Sequence, residues 1–253
     1  MNKDFEGKTV LITGAAGFLG RTLARSYAGA GAENLILTDI PGKEEELKRQ
    51  AEELSVKGKI LSECVDIRSA DQIKELALKI EKEGMGVDIL VNNAGINALV
   101  KAVETTEEIW DKINDINIRG AFFMTREIAR QSLISRRGNI IFVSSQHGVV
   151  GNVLRAAYCA SKTGILGVVR ALVAEWSVYG VRVNSVAPTF IENEANERIL
   201  HEPGNIRSMK NRIPLKRYAN VGDISDSVLF LSSDKASMIT GQNLVIDGGY
   251  TVI

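Results

Sequence analysis

Residues 9–20 read TVLITGAAGFLG, a short apolar run followed at once by glycines at three-residue spacing. The run Thr9–Thr13 has the length and composition of a buried strand. Helical periodicity then continues through Leu19, Leu23 and Tyr27. Glycines allow a tight turn and a close approach to the backbone where the helix starts. The stretch therefore predicts a strand, a tight turn and a helix, the opening unit of an α/β fold.

Six further apolar runs follow along the chain, and segments of helical periodicity separate most of them. Near-continuous apolar strands of this kind are typical of a parallel sheet that is covered on both faces. The sequence therefore predicts a doubly wound, Rossmann-type α/β fold with seven parallel strands. We find no repeat or linker, so we expect one domain over residues 1–253. The six runs are Asn34–Thr38, Ile60–Val65, Val87–Val91, Asn139–Val143, Arg182–Ala187 and Asn243–Ile246.

Composition excludes several classes of function. Among 253 residues, Lys+Arg 31 balance Asp+Glu 31, so the basic surface of a nucleic-acid binder is not expected. The two cysteines, Cys64 and Cys159, lie far apart and indicate neither a disulfide framework nor a metal site. No leader-like segment or long apolar run is present, which predicts a cytoplasmic protein without a membrane span. The mixed charges of Lys43–Glu53 predict a solvated helix face.

The glycine turn and the end of the second strand together predict a dinucleotide site. Gly14, Gly17 and Gly20 would bring a pyrophosphate to the free N–H groups of the helix. Asp39 ends the second strand, where a carboxylate accepts hydrogen bonds from the adenosine ribose and repels a 2′-phosphate. Ile40 follows, and no Lys or Arg stands beside it, so we expect NAD rather than NADP. An ordinary turn with a surface Asp is the alternative.

Two further strand ends should meet the same crevice, because ligands of open α/β sheets bind outside the carboxyl ends of the strands. Asp66 and Ile67 close the third strand. Residues 92–95, Asn-Asn-Ala-Gly, close the fourth, and a turn held by its own Asn side chains is the alternative there.

Tyr158 and Lys162 stand four residues apart in a helical pattern and so share a helix face. An ammonium beside a phenol favours the phenolate, so we expect Lys162 to lower the pKa of Tyr158. Such a Tyr can exchange a proton with an alcohol or a ketone. Packing plus a surface charge is the alternative for an isolated pair.

Two more polar residues support a catalytic interpretation. Ser145 follows the fifth strand, so its hydroxyl should lie at the same sheet edge and hold a reacting oxygen. Asn117 interrupts a helical pattern that is otherwise apolar on its inner side. The alternative for Asn117 is a buried side chain that bonds to the backbone.

On these residues the chain resembles the short-chain dehydrogenase/reductase family, in its single-domain branch, from Lys8 to about Tyr250. The matching features follow one another in the family's order. They are the Thr-Gly turn, Asp39, Asn-Asn-Ala-Gly, Asn117, Ser145, Tyr-x-x-x-Lys, residues 182–188 (RVNSVAP), residues 213–215 (IPL), residues 240–242 (TGQ) and residues 247–249 (DGG).

The resemblance implies a catalytic tetrad and a set of cofactor contacts. Tyr158 would be the acid/base, Ser145 would orient the substrate oxygen, and Lys162 would hold the nicotinamide ribose. Asn117 would anchor a water that relays protons to Lys162. The contacts implied for NAD are Gly14, Gly17, Phe18, Leu19, Gly20, Asp39, Ile40, Asp66, Ile67, Asn93, Ala94, Gly95, Tyr158, Lys162 and Ile191.

Three positions depart from the family pattern. Phe18 stands where the glycine turn of the family usually has its middle glycine, and Gly17 places that glycine one residue earlier. Thr189 stands where a Gly usually follows the proline of strand six, and Asn193 replaces a Thr. We expect the irregular stretch 189–221 to form a substrate lid.

Gln146, His147 and Arg155 are the residues nearest the tetrad that could recognise a substrate. Arg155 with His147 could hold a carboxylate or several sugar hydroxyls. The leading hypothesis is therefore NAD-dependent oxidation of a small polar secondary alcohol, such as a sugar, polyol or hydroxy acid. The alternatives are a reductase of 3-oxoacyl thioesters or steroids, and an NAD-binding regulatory protein that has lost catalysis.

Assembly is a further expectation of the resemblance, because family members are mostly tetramers. The predicted helices 110–134 and 161–179 could supply packing faces for a dimer or tetramer, but their apolar residues serve the core equally well.

Overall fold

A computed structural model describes residues 4–192 and 210–252. Its seven strands form one parallel sheet in the order β3-β2-β1-β4-β5-β6-β7, which confirms the predicted doubly wound fold. The strands are β1 (Thr9–Thr13), β2 (Asn34–Asp39), β3 (Ile60–Cys64), β4 (Ile89–Asn92), β5 (Asn139–Val143), β6 (Arg182–Pro188) and β7 (Asn243–Ile246).

Helices cover both faces of the sheet. The predicted helix 110–134 forms as two α segments, each followed by a wider π-helical segment, Asp115–Gly120 and Ala129–Leu133. The predicted helix 161–179 begins earlier, at residue 156. The helices of the described chain are α1 (Phe18–Gly29), α2 (Glu44–Glu53), α3 (Ala70–Lys82), α4 (Glu107–Asn114), α5 (Ala121–Ile128), α6 (Ala156–Trp176) and α7 (Val221–Ser232).

The interior strand β1 shows why the parallel strands read as continuous apolar runs. Successive side chains of a strand point to opposite faces of its sheet. Val10 and Ile12 lie in the core between the sheet and α1 and α7, whereas Leu11 lies in the core on the other face. All three side chains are fully buried, so the middle of the strand has no solvent-facing position for a charged residue.

The strand order reverses between β1 and β4, because β2 and β3 lie on one side of β1 and the later strands on the other. A crevice opens at such a reversal, outside the carboxyl ends of the strands. This topology brings the turn after β1 next to residues 92–95, and the segment after β5 lies one strand further along.

Helix α6 carries the predicted chemistry and is partly buried. Within the described chain, the stretch Ala156–Tyr179 is the one helical segment long and apolar enough to be compared with a membrane span. Ser161, Lys162 and Ile165 are buried against the rest of the protein, and the helix contacts β6 and α4. Burial covers 33% of its most apolar stretch, so these contacts account for part of its apolar composition.

Candidate active site

Each glycine of the turn after β1 has a geometric reason. Gly14 has a φ of 66°, and a Cβ there would lie 2.9 Å from the Cα of Ala94. A Cβ on Gly20 would lie 2.2 Å from the carbonyl oxygen of Gly14. Gly17 is the N-cap of α1, where no side chain caps the helix and no acidic residue stands in the first turn. The N–H groups of this helix end are therefore open to an anionic ligand.

Asn93 holds the glycine turn against the end of β4. Its Nδ2 donates to the carbonyl oxygens of Thr13 at 2.9 Å and Gly14 at 3.0 Å. The hydroxyl of Thr13 accepts hydrogen bonds from the N–H groups of Asn93 and Ala94 in return. The side-chain amide of Asn93 thus fixes the turn, and Asn93 also lines the cavity beside it.

Asp39 lies at the end of β2, as predicted, and its carboxylate accepts hydrogen bonds from two backbone N–H groups. These are Ala16 of the glycine turn at 2.9 Å and Ile40 at 2.8 Å. The sequence places no cation directly beside Asp39, but folding brings Lys43 near. The pKa of Lys43 is raised chiefly by Glu46 and also by Asp39, while Arg21 opposes this. Lys43 and Arg21 therefore lie near the Asp39 end of the crevice in the fold, although neither stands beside Asp39 in the sequence.

A cavity of about 730 Å³ opens between the glycine turn and the ends of β2, β3 and β4. This volume lies within the ordinary range for ligand pockets. Asp66, at its rim, is paired with Arg68 at 2.6 Å, which lowers the pKa of that carboxyl. The cavity brings together the predicted Gly14, Gly17, Phe18, Leu19, Gly20, Asp39, Ile40, Asp66, Ile67, Asn93, Ala94 and Gly95, and sequence reasoning missed Thr38, Pro41, Val65, Arg68, Ile96, Lys112 and Ile116.

The open helix end, the glycines that leave room for a ligand and the carboxylate of Asp39 fit a dinucleotide. Phosphates would meet the N–H groups of α1, and ribose hydroxyls would meet Asp39. Among residues 4–192 and 210–252, no cluster of three or more His, Cys, Asp or Glu side chains could hold a metal ion.

Lys162 is buried and donates a hydrogen bond from Nζ to the carbonyl oxygen of Val143, the last residue of β5, at 2.7 Å. Burial without a carboxylate partner lowers its pKa to about 8. Gly95 lies directly against this ammonium, because a Cβ on Gly95 would be 3.2 Å from Nζ and 3.3 Å from Oδ1 of Asn117. Lys162 thus borders the crevice loop 92–95.

Asn117 lies in the π-helical segment, and its side chain is fully bonded to neighbouring protein groups. Oδ1 accepts from the N–H of Ile96 at 2.8 Å, and Nδ2 donates to the carbonyl of Ile96 at 2.9 Å and to Oγ of Ser161 at 3.0 Å. The alternative of a buried Asn bonded to backbone therefore describes this side chain. Its placement beside Gly95 and Lys162 keeps it within the predicted site.

Tyr158 stands on the first turn of α6, with Nζ of Lys162 at 5.8 Å from its ring centre. The side chain of Ser145 acts on its hydroxyl, so these three predicted residues do come together. The expectation that Lys162 lowers the pKa of Tyr158 does not hold here. Burial raises this pKa, and the opposing influences are the side chain of Ser145 and the charge of Arg155. The ammonium donates its hydrogen bond to the carbonyl oxygen of Val143 instead.

His147 is the centre of an aromatic cluster beside Tyr158. Its ring lies 6.5 Å from that of Tyr158, 5.9 Å from Phe190 and 6.5 Å from Tyr250. Burial, with the positive charges of Arg155 and Arg212, lowers its pKa to about 4, although the backbone of Val150 opposes this. The imidazole is therefore neutral near pH 7.

The other two predicted substrate residues lie beside this cluster. Gln146 is fully buried, and its Oε1 has no hydrogen-bond partner within the described chain. Arg155 is the N-cap of α6, so it immediately precedes the helix rather than lying on its first turn. Its charge nevertheless acts on both His147 and Tyr158.

Sequence reasoning missed Phe190, Tyr250 and Arg212 as neighbours of the site. The guanidinium of Arg212 stacks on the ring of Tyr250 at 4.6 Å. These residues come from three separate segments near the carboxyl ends of β6 and β7. No local pattern marks such a meeting, although the match of residues 213–215 and 247–249 to the family's C-terminal motifs points to those segments.

The predicted lid is described only at its two ends. Ile191 pairs with Ala219 as an isolated parallel bridge, which closes the base of the loop. Thr189 is buried, and its hydroxyl has no partner within the part of the chain that the structure describes. Asn193 and the rest of 193–209 lie outside the described residues.

Comparison with known proteins identifies the family. Residues 14–251 match a family model described as enoyl-(acyl carrier protein) reductase. The chain belongs to the short-chain dehydrogenase/reductase family. It is 36% identical over 254 residues to an NAD-dependent glycerol dehydrogenase of Listeria innocua, covering 99% of this chain and 97% of the relative.

Other relatives of similar identity have different activities. A 3-oxoacyl-[acyl-carrier-protein] reductase of Thermotoga maritima is 36% identical, with 98% and 99% of the two chains covered. A D-threitol dehydrogenase of Mycolicibacterium smegmatis is 36% identical, with 98% and 94% covered. Among solved structures, a gluconate 5-dehydrogenase of Burkholderia cenocepacia in complex with NADP and tartrate has a TM-score of 0.90 and 27% identity, with 100% and 98% covered. The chain is accordingly an NAD(P)-type dehydrogenase or reductase acting on CH–OH groups.

Proposed function

We propose that this protein is an NAD-dependent dehydrogenase that interconverts a small polar secondary alcohol and its ketone. The observation that carries the proposal is the meeting of Tyr158, Ser145 and Lys162, with Lys162 directly against Gly95 of the cavity that the glycine turn and Asp39 also line. Bound NAD supplies the chemistry of taking a hydride from the alcohol carbon or returning it to the carbonyl carbon.

The protein's own residues handle the proton and the orientation of the substrate. Tyr158 takes the hydroxyl proton as the alcohol becomes a ketone, and returns it in the reverse direction. Ser145 would hold the substrate oxygen, since its side chain acts on the hydroxyl of Tyr158. Lys162 would hold the nicotinamide ribose, with its ammonium 5.8 Å from the ring centre of Tyr158. Asn117 keeps the loop at Ile96 in place beside Lys162.

NAD is the proposed cofactor because Asp39 would repel a 2′-phosphate. The glycerol dehydrogenase relative is NAD-dependent, which supports this preference. Lys43 and Arg21 act in the opposite direction, and the gluconate 5-dehydrogenase neighbour was solved with NADP. We therefore expect a preference for NAD rather than strict exclusion of NADP.

The proposed substrate class is a polyol, sugar or sugar-like hydroxy acid. Relatives and neighbours that act on glycerol, D-threitol and gluconate support it. The polar side chains of Gln146 and His147, which follow Ser145, and of Arg155, which precedes Tyr158 by three residues, support it as well. Reduction of 3-oxoacyl thioesters is the second candidate, favoured by the Thermotoga maritima relative.

The experiment is NADH formation measured with a panel of polyols and sugar acids, and the reverse reaction with ketones and a 3-oxoacyl thioester. Tyr158→Phe should lower kcat/KM by about 10²- to 10⁴-fold, the usual contribution of a general acid/base. Its affinity for NADH should stay unchanged. Tight NADH binding without turnover of any alcohol or ketone would instead support the regulatory alternative, and turnover of the thioester alone would support the second candidate.

We further propose one catalytic domain with a substrate lid at residues 189–221, a cytoplasmic location and a homo-oligomer, dimer or tetramer. Oligomeric state is measured by light scattering after size exclusion, and a monomer at micromolar concentration would contradict that part.

A further inference from the structure

Two arginines converge on the substrate side of the site from different parts of the fold. Arg155 immediately precedes α6, and its charge acts on both Tyr158 and His147. Arg212 ends a short helical segment, Lys210–Arg212, after the loop that follows β6, and its charge also acts on His147. Both guanidinium charges therefore act on His147.

The aromatic cluster fixes where Arg212 lies. Its guanidinium stacks on the ring of Tyr250 at 4.6 Å, and that ring lies 6.5 Å from His147. His147 is in turn 6.5 Å from Tyr158. The charge of Arg155 acts on both Tyr158 and His147, whereas that of Arg212 acts on His147. The two cations therefore lie on the side of Tyr158 that the aromatic cluster occupies.

Neither arginine is neutralised by the protein within residues 4–192 and 210–252, where no ion pair with a carboxylate involves them. Other arginines of the same regions are paired, such as Arg68 with Asp66 and Arg217 with Asp223. Arg155 is only half-exposed, so its charge is not simply a solvated surface charge. Glu192 lies on this side of the molecule, where it acts on Tyr218.

We propose that Arg155 and Arg212 bind the carboxylate of the substrate, so that the enzyme acts on hydroxy acids and sugar acids in preference to neutral polyols. This proposal rests on the proposed function. It selects the acids from the polyols, sugars and hydroxy acids that the proposed function includes. Guanidinium groups match carboxylates in geometry and keep their charge at every physiological pH. His147, on which both charges act, is buried and neutral, so it adds no third positive charge there.

The test compares acids with neutral polyols of the same carbon skeleton. Initial rates of NAD reduction are measured for gluconate against sorbitol and for tartrate against threitol, with the wild-type protein and with Arg155→Gln and Arg212→Gln. The matched control is Arg170→Gln, an exposed arginine of the same helix α6. Arg170 follows Tyr158 by twelve residues and so lies about 18 Å along the helix from it.

We expect the wild type to favour the acid of each pair. In Arg155→Gln and in Arg212→Gln, the ratio of kcat/KM for acid to that for polyol should fall about ten- to a hundredfold, the loss expected when a hydrogen bond to a charged group is removed. The change should be mainly in KM. Arg170→Gln should keep the wild-type ratio.

A second readout does not depend on turnover. Gluconate and tartrate should raise the Tm of the wild-type protein in the presence of NADH more than sodium chloride at equal ionic strength does, and this difference should be lost in the two arginine variants. A polyol preferred to its acid by the wild type would overturn the proposal, as would a ratio and a Tm shift that both arginine variants leave unchanged. Absence of NAD-linked turnover of every acid and polyol, with the specific Tm shift retained, would overturn the proposed function but not the carboxylate site.

Discussion

Lys162 donates its hydrogen bond to the main-chain oxygen of Val143, the residue at the end of β5, at 2.7 Å. The catalytic helix α6 is thereby attached to the strand that leads into Ser145. A charged ammonium bonded only to a neutral carbonyl is costly in a buried place. Because burial disfavours the charged form, the pKa of Lys162 falls to about 8.

This depressed pKa predicts how stability depends on pH. Between about pH 8 and the ordinary lysine pKa of 10.5, the unfolded chain binds more protons at this position than the folded chain, so folding becomes more favourable as pH rises. Lys162→Met removes the effect. The stability of the wild type relative to Lys162→Met should therefore rise by about 3 kcal/mol from pH 7 to pH 10.5. Urea unfolding of both proteins across this range measures it, and a constant difference would contradict the assignment.

Gly20→Ala should disrupt the glycine turn, because the added Cβ would lie 2.2 Å from the carbonyl oxygen of Gly14 and 2.7 Å from Cα of Ala15. Both contacts are with backbone, which cannot rotate away. Gly29→Ala is the matched control on the same helix, since a Cβ there meets nothing within 4 Å. We expect Gly20→Ala to lower the free energy of unfolding by about 1–3 kcal/mol and to abolish NADH binding.

Gly29→Ala should be neutral or stabilising by up to about 1 kcal/mol, with NADH binding intact. Urea unfolding and titration of NADH fluorescence measure both variants. Equal behaviour of the two would show that the turn tolerates a side chain.

Asp39→Asn separates the charge of this residue from its role as an acceptor. The amide oxygen can still accept one of the two backbone hydrogen bonds, from Ala16 or from Ile40, so the turn should largely keep its shape. The repulsion of a 2′-phosphate disappears, and Lys43 and Arg21 remain nearby. NADPH affinity should therefore rise about tenfold relative to NADH affinity. Unchanged relative affinities, measured by fluorescence titration, would mean that Asp39 does not select the cofactor.

Asn117→Ala should destabilise the protein by about 1–3 kcal/mol, because the N–H and carbonyl of Ile96 lose their partners. The matched control is Asn114→Ala, since Asn114 makes one exposed hydrogen bond, to the carbonyl of Trp110. We expect the control to stay within about 0.5 kcal/mol of the wild type. The comparison uses urea unfolding, and similar losses in both variants would remove the special role given to Asn117.

The sheet could be predicted from sequence because both faces of its strands are buried. Runs such as Thr9–Thr13 then carry no polar interruption, and the glycine turn marks where the first of them ends. The ends of the strands were harder to predict where a side chain, rather than a neighbouring strand, accepts the hydrogen bond of a backbone N–H group. Val87, predicted as the start of β4, donates its N–H to the hydroxyl of Ser132 at 2.9 Å, and the strand begins at Ile89.

The parts of the site that lie within a short sequence motif, such as Tyr158 and Lys162, could be predicted. The parts where distant segments of the chain meet could not. Arg212 reaches the cluster at His147 only after folding, and no spacing rule connects those two positions. The raised pKa of Tyr158 depends on the burial of its side chain and on the fact that Lys162 donates its hydrogen bond to another residue. A spacing of four residues along a helix predicts neither the burial nor the hydrogen-bond partner.

The side-chain amide of Asn93 holds the glycine turn through the carbonyl oxygens of Thr13 and Gly14, and the hydroxyl of Thr13 holds the N–H groups of Asn93 and Ala94 in return. Main-chain carbonyls are the same whatever side chain a residue carries, so the amide half of this contact depends only on the path of the turn, whereas the other half needs the hydroxyl at position 13. Phe18, which stands where the family has a glycine, takes part in neither half. A substitution at position 18 that keeps the path of the turn should therefore leave the contact with the fourth strand intact, whereas a residue without a hydroxyl at position 13 should not.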